Sequence, residues 1–271
     1  MSSRQDDARA WVRGIIGKHL PRTARKYNLA IFTGEATVNS VLGIQIDLHP
    51  AEGKVVALTD EWILINSGRA DFFVAARDVV DSVPDLDATI RITPYARRGF
   101  DGRRLDAPRT EEVGNGIVIQ SYTLGENRSV LPIDKAALRC PELVHLIDYL
   151  ERFDAGDGVR CLSQILVDAG AWKHPVDHVD PLPEDIIETP PSLKFRVMTA
   201  KADGWIEYRY DRGLDCFGMY LTDAAGTTVR SETRVFFEQL AEITSDWIDD
   251  GSWRIAKVEI LKPAPRKARA A

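Results

Sequence analysis

Residues 53–74, GKVVALTDEWILINSGRADFFV, decide the fold class. Two short apolar runs, Lys54–Leu58 and Trp62–Asn66, flank the turn Thr59-Asp60-Glu61, and Ser67-Gly68 turns the chain into a third run, Ala70–Val74. β-Branched runs joined by tight turns predict strands of a small antiparallel barrel or rolled sheet. Downstream, a helical turn around Arg77–Val80 and a loop at Pro84 precede another strand, Thr89–Thr93. Upstream, residues 5–19 repeat apolar residues at helical spacing, with Ala8, Trp11, Val12, Ile15 and Ile16 on one face and Pro21 ending the helix. That face is expected to pack on the body. A partner-binding helix is the alternative, because Arg9, Arg13 and Lys18 make the other side basic.

Further along, Ile117–Thr123 and Val130–Ile133 predict a hairpin around Leu124-Gly125-Glu126-Asn127. Pro141 stands where a helix accepts it, at the first position, and Leu143, Leu146, Ile147 and Leu150 follow at core-facing spacing. Leu162, Ile165, Leu166 and Ala169 repeat the stripe and Gly170 ends it, which predicts a helical hairpin over 136–172. Residues 173–191 carry five prolines and read as a linker. Beyond them Phe195–Ala200, Trp205–Tyr210 and Asp215–Leu221 predict strands, and 233–249 a helix burying Phe236, Leu240, Ile243 and Trp247. Trp253–Leu261 predicts a last strand, giving β-β-β-α-β.

The expected class is therefore α+β: a basic N-terminal helix (1–28), a β-barrel-like module (29–135), the hairpin (136–172), the linker (173–191), an antiparallel sheet module (192–261) and a basic tail (262–271). The 271 residues, 44% hydrophobic and 28% charged, suit one large or two small folded domains and exclude wholesale disorder. The overall charge of −6 is uneven: residues 1–28 carry +5 and 262–271 carry +4, leaving an acidic body at −15. Three separated cysteines without a CxxC suggest neither a disulfide framework nor zinc. The first residues lack the apolar run of a signal peptide and no span of about 18 apolar residues occurs, so a cytoplasmic protein without a membrane partner is expected.

Residues 53–60, GKVVALTD, followed by Gly68-Arg69-Ala70, resemble the KfrB-type domain of broad-host-range plasmids. Residues 94–102, PYARRGFDG, are similar to a companion motif in proteins of conjugative plasmids and integrative elements. The resemblance covers roughly residues 53–108. It departs from the pattern at Pro84-Asp85-Leu86-Asp87, which has no turn glycine before the last strand. It implies maintenance of a mobile element through partner binding, and supplies no catalytic residues.

The sharpest local feature is the run from Arg91 to Arg109, with six arginines against Asp101 and Asp106. Arg97, Arg98, Arg103 and Arg104, interleaved with Tyr95 and Phe100, could hold phosphates and stack on bases. The competing reading is a structural turn shaped by Gly99 and Gly102, its arginines paired to those two aspartates. Strand alternation puts Trp205, Glu207 and Arg209 on the face opposite Ile206, Tyr208 and Tyr210, making the first three a second candidate binding set.

His174, Asp177, His178 and Asp180 supply donors for a metal, but Pro175 prevents a helical pair and a solvated linker is the expectation. Gly14–His19 mimics the end of a phosphate-binding loop without its first glycine or its Ser/Thr, and no GxSxG occurs. Neither a cofactor nor a catalytic set is expected. The leading reading is a non-enzymatic accessory protein that binds DNA, RNA or a host or plasmid protein. An anti-defence protein whose acidic body mimics a phosphate backbone is the alternative, and an unrecognised enzyme the third.

Overall fold

The computed structural model describes residues 3–35, 40–41, 44–45, 47–114, 116–121 and 128–265. Four α-helices occur among them: α1 (Arg4–Ile15), α2 (Pro141–Arg152), α3 (Leu162–Asp168) and α4 (Phe237–Ile248). The early strands are β1 (Asn28–Phe32), β2 (Ser40–Val41), β3 (Ile44–Gln45), β4 (Ala51–Leu58), β5 (Trp62–Asn66), β6 (Asp71–Ala76) and β7 (Thr89–Thr93). A ribbon follows, β8 (Arg109–Glu112) and β9 (Val118–Ser121). The later strands are β10 (Asp177–Val179), β11 (Ser192–Met198), β12 (Asp203–Asp211), β13 (Cys216–Asp223), β14 (Thr228–Val235) and β15 (Lys257–Lys262). The class is α+β.

Two compact units divide the chain, one formed by Met1–Glu35, Asp47–Ala96 and Gly251–Ala271, the other by Ala36–Ile46 and Arg97–Asp250. The first holds a six-stranded sheet in the order β1-β6-β5-β4-β7-β15. It is open, not a closed barrel, and β1 runs parallel to β6. Ile63, Leu64 and Ile65 are buried in succession on β5, as are Phe73, Val74 and Ala75 on β6, so both faces of the central strands are covered. Such a strand shows a continuous apolar run in place of alternation.

The α1 face packs as expected, with Ala8 and Val12 buried, Ile16 buried just beyond the helix, and Trp11 stacked on Trp62 at 6.4 Å. Asp87 takes the left-handed conformation (φ 69°) that a glycine would adopt without strain, which explains how the 84–87 turn closes without one.

The second unit is built on the five-stranded sheet β10-β11-β12-β13-β14, all antiparallel. One core unites it with the helical pair: Leu143, Leu146, Ile147 and Leu150 of α2 and Leu162, Ile165 and Leu166 of α3 cluster with Leu193, Phe195, Ile206, Tyr208 and Met219 of the sheet. The helical stripes lie where their spacing predicts, and the surface they pack against is the five-stranded sheet.

Four expectations are corrected. Val118–Ser121 pairs with Arg109–Glu112, whereas Leu131 is buried outside any strand, its N–H bonded to the Glu151 carboxylate; the expected turn 124–127 lies outside the described residues. Residues 173–191 are no free linker, because β10 adds an edge to the sheet and Ile186 is buried. Residues 228–235 form β14, so the helix expected over 233–249 starts later: α4 begins only after Phe236, which is 53% exposed and not buried as expected. Finally, β15 does not complete the second module but pairs with β7 in the first sheet, so the expected β-β-β-α-β order and the boundary at 192–261 do not hold. An apolar run identifies a strand without identifying its partner.

Candidate functional site

The arginine loop is a compact turn. Arg98 and Arg104 bridge, the Gly99 N–H donates to the Arg103 carbonyl at 2.9 Å and the Leu105 N–H to that of Arg97 at 2.9 Å. Gly102 (φ 74°) lies so close to Trp172 that a Cβ would sit 2.9 Å from its ring. The Asp101 carboxylate accepts the Arg103 N–H at 2.9 Å, and Arg98 donates to the Gly102 carbonyl at 2.8 Å. Arg104 grips Asp106 with both arms of its fork, at 2.8 and 2.7 Å.

Arg97 is only 4% exposed, so its guanidinium is not a surface contact. Of the four candidate arginines, Arg98 and Arg103 are exposed. The aromatic rings do not interleave with them as a stacking platform: Tyr95 meets Trp253 edge-on at 5.1 Å within the first unit, and Phe100 packs against Phe195 at 6.3 Å within the second. Arg91 is committed to Glu52 at 2.6 Å and Glu259 at 2.9 Å in the first sheet. The structural reading of the run therefore accounts for Arg91, Arg97 and Arg104, and leaves Arg98 and Arg103 exposed.

On the second sheet, burial follows the alternation: Ile206 and Tyr208 are fully buried, while Trp205, Glu207 and Arg209 line the opposite face. These three are brought together, but each has a neighbour. Lys194 lies 5.3 Å over the Trp205 ring, and Arg209 bonds Glu207 at 2.8 Å and sits 5.0 Å over Tyr220.

A feature the sequence did not announce lies where α2 meets the start of α4. His145, Asp148, Tyr149, Arg152, Phe153 and Phe237 line an open groove of about 400 Å³. Tyr149 stacks on Phe153 at 4.4 Å, meets Phe237 at 4.5 Å, and donates its hydroxyl to the Phe237 carbonyl. Burial and the nearby Glu238 push the Tyr149 phenol up, so it stays neutral. The Gln239 side chain accepts the Phe236 N–H at 3.0 Å, supplying a cap that phenylalanine cannot. This cap holds Phe236 in the open beside Phe237. The α2 stripe is legible in the sequence, but its spacing does not single out Tyr149 or Phe153, and Phe236, expected to be buried, is 53% exposed.

The remaining charged clusters hold the unit together. Arg160, its side chain 2% exposed, bonds Asp157 at 2.6 Å, Asp168 at 3.0 Å and Asp249. Burial opposes its charge, but the hydrogen bond to Asp249 and the neighbouring carboxylates outweigh burial and raise its pKa. Asp180 accepts the N–H groups of Arg139 (3.1 Å) and Cys140 (2.9 Å), closing the start of α2. Asp180 of this run thus serves the start of α2, and among the described residues no group of three His, Cys, Asp or Glu side chains is placed to hold a metal. No described helix is long and apolar enough to cross a membrane. No family model, curated protein or solved structure matches the chain.

Proposed function

We propose that the chain works by binding a protein partner at the α2–α4 groove. The observation that carries this reading is the open groove lined by Tyr149, Phe153 and Phe237 with His145, Asp148 and Arg152, with Phe236, next in the chain to Phe237, 53% exposed. Exposed aromatic clusters with a polar rim are where partner proteins gain most of their binding energy. A protein fits better than a nucleic acid, because base stacking needs a free ring face. The Tyr149 faces are instead taken up against Phe153 and Phe237. The resemblance of residues 53–108 to the KfrB-type domain adds a setting, the maintenance of a plasmid or integrative element.

The test is a comparative affinity capture from a host carrying such an element, with and without nuclease. Phe236→Ser with Phe153→Ala should lose a nuclease-resistant partner that the wild type retains, and Arg98→Ala with Arg103→Ala should keep it. If the arginine pair alone abolishes capture, and nuclease does the same, binding is to nucleic acid and the groove reading fails.

A further inference from the structure

We propose that β14 pairs, antiparallel, with β14 of a second copy of this chain about a two-fold axis at Ser231. This goes beyond the groove and is independent of it. β14 is the edge of its sheet, its residues from Thr228 to Arg234 are all exposed, and Val229 is 56% exposed. An edge strand offers a row of unpaired N–H and C=O groups to another strand, and natural edges are blunted by Pro, charged side chains (especially Lys), bulges or a very short strand. TVRSETRV is eight residues long with neither Pro nor Lys; it has register shifts on either side of its centre, and its charges are of both signs, so a second copy of the strand can pair them. At the opposite edge β10 is just three residues long.

Charge chooses both the partner and the register. Arg230 and Glu232 stand opposite Leu221 and Met219, which are buried, so both project on the helix-covered face. A two-fold at Ser231 sets Arg230 of each copy opposite Glu232 of the other, twice per interface, and sets Val229 against Thr233. Moving the axis one residue, to Glu232, opposes Arg230 to Arg234 and Glu232 to itself. Directly opposed like charges destabilise a strand pair, and opposite charges stabilise it. The backbone agrees with this centre: register shifts within the β13–β14 pairing flank Met219–Leu221, and the residues paired regularly between them are Arg230, Ser231 and Glu232. The strand is thus self-complementary about its most regular point.

Sedimentation velocity of the full chain, from roughly 1 to 200 µM, tests the proposal. The wild type should show a reversible monomer–dimer equilibrium. Glu232→Arg and Arg230→Glu, each confirmed as folded by circular dichroism, should each weaken it about tenfold or more, since two attractive pairs become repulsive. Arg230 also bonds Asp246 at 2.9 Å within its own chain, so Glu232→Arg is the cleaner arm. The decisive arm mixes the two single variants. Their edges are complementary to each other, so a heterodimer should form at concentrations where each variant alone is monomeric. A wild type that stays monomeric over the whole range, a dimer indifferent to both reversals, or a mixture that does not associate would each overturn the proposal.

Discussion

Replacing Arg160 by Met should be the most damaging single polar substitution in the second unit. The guanidinium ties together three places that are distant in sequence: Asp157 in the loop before α3, Asp168 at the end of α3 and Asp249 after α4. Met fills similar space without the charge, so the change takes the guanidinium away from three carboxylates whose side chains are 11%, 16% and 16% exposed, while Asp157 keeps the backbone N–H groups of positions 159 and 160 and Asp168 keeps Gln164. Removing one partner of a buried pair costs about 3–5 kcal/mol, and water reaching these partly exposed carboxylates puts the expected loss at the lower end, about 3 kcal/mol. For domains of roughly 150–250 residues each kcal/mol lowers Tm by about 2–4 °C, so the transition of this unit should fall by about 6–12 °C in calorimetry of the whole chain.

The pH dependence is part of the same prediction. Burial alone would raise the Asp157 pKa, but the Arg160 and Val159 N–H groups and the guanidinium hold it below its ordinary 3.8. Its stabilisation is present above the unfolded value and is lost as pH falls through the lower folded value. Arg160→Met keeps the two backbone N–H groups but loses the guanidinium's part of that depression, so the gap between wild type and variant should narrow below pH 3.8. A variant melting within about 2 °C of wild type, or a gap constant from pH 7 to 3, would refute the reasoning.

Gly102→Ala should lose about 2–3 kcal/mol, because it combines a positive φ with contact against the Trp172 ring. Gly156→Ala, with φ 88° and open space around it, should lose only about 1 kcal/mol; urea melts showing equal losses would sink the packing argument. Cys140 and Cys216 are buried and burial raises both thiols, so a thiol reagent should label Cys161 first and the other two only in denaturant, as intact mass would report. A fragment of residues 97–250 should melt cooperatively, whereas 193–261 should not, since it lacks the α2 and α3 side of its core and ends in a strand that belongs to the other sheet. A cooperative transition in the shorter fragment would show that the shared core is not required.

What could be read from sequence depended on whether the signal was local. The stripes Leu143–Leu150 and Leu162–Ala169 announced α2 and α3 because a helix writes its buried face at fixed spacing. The alternation of Trp205 to Tyr210 assigned both faces of β12 correctly for the same reason. β14 was missed because an edge strand exposed from Thr228 to Arg234, with only Val235 buried, writes no apolar period into TVRSETRV. Asp180 was counted among possible metal donors because its true partners, the N–H groups of Arg139 and Cys140, lie about 40 residues upstream and leave no trace in spacing.

The arginine run shows why charge density in a sequence is a poor guide to charge density on a surface. Six arginines in 19 residues suggest a single basic patch only if nothing else in the fold needs them. Here the strand register sets Arg91 between Glu52 and Glu259, while burial takes Arg97 out of solvent. The Arg104–Asp106 pair was legible, because a two-residue spacing across a tight turn lets a fork meet a carboxylate. The same glycines that make a phosphate-gripping loop plausible also let a chain fold back on itself, and Gly102 against Trp172 marks which use this chain makes of them. In an acidic body at −15, an arginine is more readily neutralised by its own chain than held for a polyanion. The exposed aromatic group at α2–α4 has no such internal claimant for Phe236, and for that reason a partner is better sought there than at the loop.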